Sequence, residues 1–176
     1  SAKEKIKEVA ERVEKRNKEL LEESERVIKE VSERSERLLD ESRKVVKRST
    51  EEIRDKIKGE EAEKVLRDNE DLLREDEELN KTSHERNKRL LDEVRKRNKR
   101  VSDELRKLLE EVSRIDDEEL IREVIERLKE LVDRVEKENR KAIETSRRLL
   151  KEDEDLNRES IKRSEELVKD VRRRST

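Results

Sequence analysis

The chain has 176 residues, of which 58% are charged and 27% hydrophobic, with a net charge of -2 and no aromatic residue or cysteine. The missing cysteines exclude disulfides, thiolate metal sites and thiol nucleophiles, and the balanced charge provides no overall field that attracts nucleic acid or anionic lipid. This composition leaves two structural classes, a disordered chain or long helices that share a thin apolar stripe.

Apolar residues in the first third of the chain recur at helical spacing, which favours helices over disorder. At about 100° per residue, the apolar positions from Ile6 to Ile57 stay within about 120° of arc, and their phase does not slip. The sequence therefore predicts one helix over residues 1–58, with Ser1 and Glu4 as its N-terminal capping box.

The only glycine, Gly59, marks the predicted end of this first helix, because glycine readily takes the left-handed conformation found at helix C-termini. A second apolar stripe runs from Ala62 to Val112 and predicts a second helix over residues 60–115.

The stretch "IDDEEL" indicates the start of a third helix, predicted over residues 117–175. Asp116 is the expected N-cap, with Glu119 as its capping-box partner. Ile115 and Leu120 would occupy the hydrophobic-staple positions on either side.

Three helices of nearly equal length with very short connections predict antiparallel neighbours. The expected fold is all-α: an up-down-up antiparallel bundle of three long, coiled-coil-like helices with short loops, forming a single domain over residues 1–176.

Serine and asparagine interrupt the apolar stripes at positions where a tightly packed helix normally carries Leu or Ile. The positions of the two loops predict which residues face each other. The residue numbers of a facing pair should add up to about 118 between the first two helices and to about 233 between the last two. This alignment predicts two complete three-helix layers and several further pairs. The layers are Ser49/Asn69/Ser164 and Ser42/Asp76/Asn157, and the pairs are Ser35 with Ser83, Asn80 with Asp153, Asn87 with Ser146, and Ser24 with Asn139.

These polar positions are interpreted as structural hydrogen-bond networks. A lone buried hydroxyl or amide costs about 1–3 kcal/mol, whereas a fully bonded set is roughly neutral. Such layers would specify which helices pair, and in which register, at some cost in stability. In the alternative interpretation some serines lie at a wet edge and bond only to water or to carbonyls of their own helix. Asn17 and Asn98 miss the predicted alignment by about one turn.

Charged runs flank the stripes with opposite signs. The basic run 95–100 should lie level with acidic residues of the other two helices, and the acidic run 68–78 should face basic ones. Such blocks select partners and orientation more than they add stability. For 95–100 the expected partners are Glu11, Glu14, Glu19, Glu22, Glu23, Asp133, Glu136 and Glu138; for 68–78 they are Arg43, Lys44, Lys47, Arg48, Arg158, Lys162 and Arg163.

No motif indicates catalysis, a metal or a cofactor. His84, the only histidine, points about 100° away from Ser83 on one helix, and no glycine turn exposes a nucleophile. We expect it to be a partly exposed helix residue, either separate from the neighbouring polar layer or joined to it. The basic run lacks interleaved aromatics, which disfavours nucleic-acid binding. No apolar run approaches the length of a membrane span, and no signal-peptide pattern is present.

The whole chain resembles de novo designed helical bundles that contain buried hydrogen-bond networks. The resemblance rests on the thirteen-letter alphabet, equal helices, minimal loops, "LL" and "VV" doublets, and Ser/Asn layers. It implies a scaffold without a natural substrate. Two functions remain open: a closed monomeric scaffold that needs no partner, or an interaction module whose helices bind a separate helix or a second copy of the chain. Neither function involves nucleic acid or membrane.

Overall fold

The computed structural model describes residues 1–175 and consists of three long helices packed against each other in a bundle. They are α1 (Ala2–Lys56), α2 (Glu60–Ser113) and α3 (Glu118–Ser175), and residues 1–175 contain no strand. The predicted all-α, up-down-up architecture is therefore confirmed. Helix boundaries agree with the predicted ones to within two residues, and the start of α2 and the end of α3 match.

The first connection depends on Gly59, as the sequence predicts. Gly59 has a φ of 87°, and no other described residue has a positive φ. Its carbonyl accepts a hydrogen bond from the amide of Glu63 (3.2 Å), so the residue that ends the turn also provides the first acceptor of α2. A Cβ atom at this position would meet no other atom within 4 Å. The requirement for glycine is therefore one of backbone conformation and not of space.

The second connection corrects the predicted cap. Asp117, not Asp116, is the N-cap of α3: its Oδ1 accepts the amide of Glu119 (3.0 Å) and its carbonyl accepts the amide of Ile121 (3.2 Å). Asp116 instead lies outside the helix, where its carboxylate accepts a hydrogen bond from Lys3 Nζ (3.0 Å). Both aspartates can act as a cap, and the sequence alone does not distinguish them.

The predicted capping box and hydrophobic staple are wrong for the same reason. With the cap moved by one residue, Glu119 and Leu120 no longer occupy the positions that those motifs require. Leu120 is 44% exposed and is the only large apolar side chain exposed among residues 1–175. The α2 helix also ends at Ser113, because the amide of Ile115 bonds three residues back, to the carbonyl of Val112 (3.1 Å), in a tighter final turn.

Contacts divide the chain into two compact units, each built from segments of all three helices. Unit 1 comprises Ser1–Lys29 and Lys88–Ser146. Its core is a cluster of aliphatic side chains from the N-terminal part of α1, the C-terminal part of α2 and the N-terminal part of α3, with Ile6, Leu105 and Leu128 at most 2% exposed. Each such side chain contributes about 1.5–3 kcal/mol by leaving water.

Unit 2 comprises Glu30–Asn87 and the chain from Arg147 onward. Near the first loop its core contains Ile53, Val168 and Val171. Between this cluster and the other end of the unit, serine, asparagine and aspartate side chains take a large share of the buried positions. No helix within residues 1–175 is long and apolar enough to cross a membrane.

Candidate functional site in the buried polar core

Every residue of the predicted polar set is buried. These residues are Ser24, Ser35, Ser42, Ser49, Asn69, Asp76, Asn80, Ser83, Asn87, Asn139, Ser146, Asn157 and Ser164. Hydroxyls and amides at such positions have lost their water, so each needs a partner inside the protein. The contacts that they make decide which of them act together.

The layer nearest the first loop joins all three helices, and we name it the Ser164 layer (Ser49, Asn69, Ser164). Ser164 Oγ lies 2.8 Å from Ser49 Oγ and 2.6 Å from Asn69 Oδ1. Because a hydroxyl has one proton, both contacts are satisfied together when Ser164 donates to Asn69 and accepts from Ser49. The Asn69 amide nitrogen donates to Val46 O and Thr50 Oγ1, both at 3.2 Å, so it also satisfies a second polar side chain of α1.

A second group, the Asp153 layer (Ser35, Asn80, Ser83, Asp153), is centred on a buried carboxylate. Ser35 Oγ donates to Asp153 Oδ2, and Ser83 Oγ donates to Asp153 Oδ1 (3.0 Å). Asn80 Nδ2 donates to both the hydroxyl and the carbonyl of Ser35, at 2.8 Å each. Burial raises the pKa of Asp153, while the hydroxyls of Ser35 and Ser83 lower it by bonding the charged form. The two separately predicted pairs thus form one connected network.

The third group, the Asn157 layer (Ser42, Asp76, Asn157), is less completely bonded. Asn157 Nδ2 donates to Ser42 Oγ (2.5 Å) and to the carbonyl of Leu38 (2.6 Å). Asp76 is 3% exposed, and its Oδ2 has no hydrogen-bond partner among residues 1–175. Burial raises the pKa of Asp76, which the nearby Ser42 hydroxyl only partly offsets.

Unit 1 contains a network that the predicted alignment excludes. Asn17 and Asn98 exchange hydrogen bonds: each Nδ2 donates to the other residue's carbonyl (2.8 Å), and Asn98 Nδ2 also reaches Asn17 Oδ1 (2.9 Å). Asn17 also bonds Ser102 Oγ (3.1 Å), and Asn139 Nδ2 donates to Asn98 Oδ1 (3.1 Å). An asparagine side chain can bond the backbone of a facing helix, so exact alignment is unnecessary. Three asparagines on the apolar stripes were the signal for this network.

The predicted pairing of Ser24 with Asn139 gives no hydrogen bond. Ser24 Oγ is fully buried and has no hydrogen-bond partner in the described part of the chain, and Asn139 bonds Asn98 instead. Asn87 belongs to unit 2 and is 1% exposed, and Ser146 belongs to unit 1 and is fully buried. The predicted polar set also omits Ser160, which is 1% exposed and whose hydroxyl makes only a long contact (3.5 Å) to the carbonyl of Leu72.

Ion pairs lie along the edges of the buried stripes. In unit 1, Arg97 pairs with Glu138 (3.4 Å), as the charge pattern predicts, while Arg95 pairs with Glu25, which lies outside the predicted set (3.2 Å). In unit 2, Glu77 of the acidic run pairs with Arg43 (3.3 Å). These groups are partly exposed, so each pair adds little stability.

His84 lies at the edge of unit 2, half-buried, with Nε2 3.7 Å from Glu36 Oε1. Within residues 1–175, no group of three or more His, Cys, Asp or Glu side chains converges as metal ligands would. A surface groove at the N-terminal ends of α1 and α3 is lined by charges of both signs, including Lys5, Glu118 and Arg122. The arrangement that the helices build is therefore a set of internal hydrogen bonds.

Comparisons with protein-family models, curated protein sequences and solved structures found no match to this chain.

Proposed function

We propose that this chain is a de novo designed structural scaffold, without a natural substrate, in which buried polar layers specify how the helices pair. The observation that carries the proposal is the Ser164 layer, where one hydroxyl joins side chains of the other two helices. A shift of any one helix by a turn, about 5.4 Å, would break these contacts and leave buried polar atoms unpaired.

The two connections between the helices show which pair of helices needs side chains to set its alignment. The turns at Gly59 and Asp117 restrict how α1 aligns with α2 and how α2 aligns with α3. Nothing in the covalent chain joins α1 directly to α3, so their alignment depends on side chains. In unit 2 each polar layer contains an α1–α3 hydrogen bond: Ser49 with Ser164, Ser35 with Asp153, and Ser42 with Asn157. Apolar side chains alone would tolerate several alignments, because their attraction is not directional.

The absence of matching families, sequences and structures is consistent with a designed origin, as is the restricted alphabet of the sequence. The burial pattern favours a closed scaffold over an interaction module. Among residues 1–175, Leu120 is the only large apolar side chain left exposed. An open seam for a further helix requires a contiguous apolar surface.

Size-exclusion chromatography with light scattering tests this choice. A closed scaffold gives a single species of 21.3 kDa, the mass of one chain, at every concentration. A mass that rises to a multiple with concentration would support the interaction module and contradict the closed scaffold.

A further inference from the structure

Unit 2 buries two carboxyl groups with no lysine or arginine bonded to either one among the described residues. Asp76 extends from α2 and Asp153 from α3, and each is 3% exposed. Asp153 accepts a serine hydroxyl on each oxygen, but Asp76 has one buried oxygen without a partner. An ionised carboxylate in that position loses hydration that the protein does not replace.

The nearby cations are already paired at the surface. On α1, the seam positions facing the carboxylates are the uncharged Ser35 and Ser42. Arg43 contacts Glu77 (3.3 Å), and Arg34 lies 3.9 Å from Glu154.

The remaining charged neighbours do not neutralise Asp76. His84 of α2 attracts the Asp153 carboxylate but faces Glu36 at 3.7 Å, and Glu152 of α3 repels Asp153. The charges that act on Asp76 are those of Asp153 and Glu77, both negative. The field at Asp76 therefore favours an added positive charge.

We propose that Asp76 is an internal proton-binding site, so that proton uptake in mild acid neutralises this carboxyl group in the core of unit 2 and stabilises the fold. The protonated acid supplies one O–H donor, removes the repulsion from Asp153 and Glu77, and lowers the cost of burying Asp76. The contribution of Asp76 to stability then increases in mild acid, whereas the contribution of a surface ion pair decreases as its carboxylate is protonated.

The sign of the effect follows from proton linkage. Burial raises the pKa of Asp76 above its ordinary value of 3.8, and the Asp153 carboxylate raises it further. The folded chain therefore binds a proton at pH values where the unfolded chain does not. Stability from this group increases as the pH falls through the folded pKa towards 3.8, and it is lost as the pH rises through the folded pKa.

The test compares Asp76→Asn with the matched variant Asp68→Asn, which removes the same charge from an exposed position on α2. Guanidinium unfolding is measured across the pH range above 3.8. We expect the wild type and Asp68→Asn to share a component in which the unfolding constant falls by up to about tenfold per pH unit of acidification. Asp76→Asn, which mimics the neutral acid, should lose the part of this component that Asp76 contributes and keep the smaller part that the buried Asp153 carboxyl group contributes. It should also be the more stable chain at neutral pH.

A second measurement does not depend on a variant. The side-chain carboxyl carbon of Asp76, followed by NMR in the wild-type protein, should titrate above 3.8. Titration of Asp76 at or below 3.8 would overturn the proposal, as would identical pH profiles for the two variants.

Discussion

Replacing Ser164 with alanine tests whether the polar layers act as hydrogen-bonded units. The substitution removes a hydroxyl that lies 2.8 Å from Ser49 Oγ and 2.6 Å from Asn69 Oδ1. Asn69 is fully buried, and its Oδ1 has no other partner among the described residues, so it bears the full penalty of an unpaired acceptor. Ser49 can turn to a carbonyl of its own helix, which limits its share. We expect a loss of about 2–3 kcal/mol in the free energy of unfolding.

Ser160→Ala is the matched control, because it removes the same atom from the same helix one turn earlier. Ser160 is equally buried, but its hydroxyl makes only a 3.5 Å contact, and its loss should cost less than about 1 kcal/mol. Guanidinium unfolding followed by far-UV circular dichroism measures both variants, since the chain has no aromatic residue for fluorescence. Equal losses in the two variants would refute the network interpretation and indicate that serine burial alone sets the cost.

Three further predictions concern the helix ends and the surface. Gly59→Ala should lower the free energy of unfolding by about 1–2 kcal/mol, from backbone conformation alone, and a silent change in thermal unfolding would contradict this reason. Asp117→Ala should cost about 1 kcal/mol while Asp116→Ala is nearly neutral, and the reverse order would restore Asp116 as the cap. The Arg172 guanidinium lowers the pKa of Glu52 to about 2, so this pair stabilises the fold above pH 4.5 and is lost as the pH falls through about 2. The stability difference between the wild type and Glu52→Gln should therefore shrink over that range, and a constant difference would show that the pair is not formed.

The sequence predicted the helices well because the signals for them are local and repeated. Gly59 marks the first connection unambiguously, since no other residue takes a positive φ at such low cost. The second connection has two adjacent aspartates, and either can cap a helix. In the structure it is Asp117 whose carboxylate and carbonyl accept the first amides of α3, and residue propensities do not distinguish it from its neighbour.

The hydrogen bonds of the polar core could be predicted only where the alignment of the helices alone decides which side chains touch. Ser49 and Ser164 have short side chains, so they must lie level to bond each other, and the alignment derived from the loops brings them together. Asn17 and Asn98 bond although that alignment separates them by a turn, because each amide reaches the other residue's backbone carbonyl. Ser24 illustrates the opposite case, a buried hydroxyl with no partner. Which partner a side chain selects depends on its length and rotamer, and a helical repeat specifies neither.

The alignment of α1 with α3 in unit 2 is the most direct test of the central claim that buried polar layers specify helix pairing. Glu41 of α1 and Lys162 of α3 are exposed and can each be replaced by cysteine to carry a spin label. Because the chain has no other cysteine, the labels attach at these two positions alone. Electron paramagnetic resonance should give one narrow distance distribution for the otherwise unaltered chain. When the Ser164 and Asn157 layers are replaced by Leu and Val, the distribution should broaden or split by up to about 5 Å, one helical turn. A single narrow distribution at the same distance in both chains would contradict the claim.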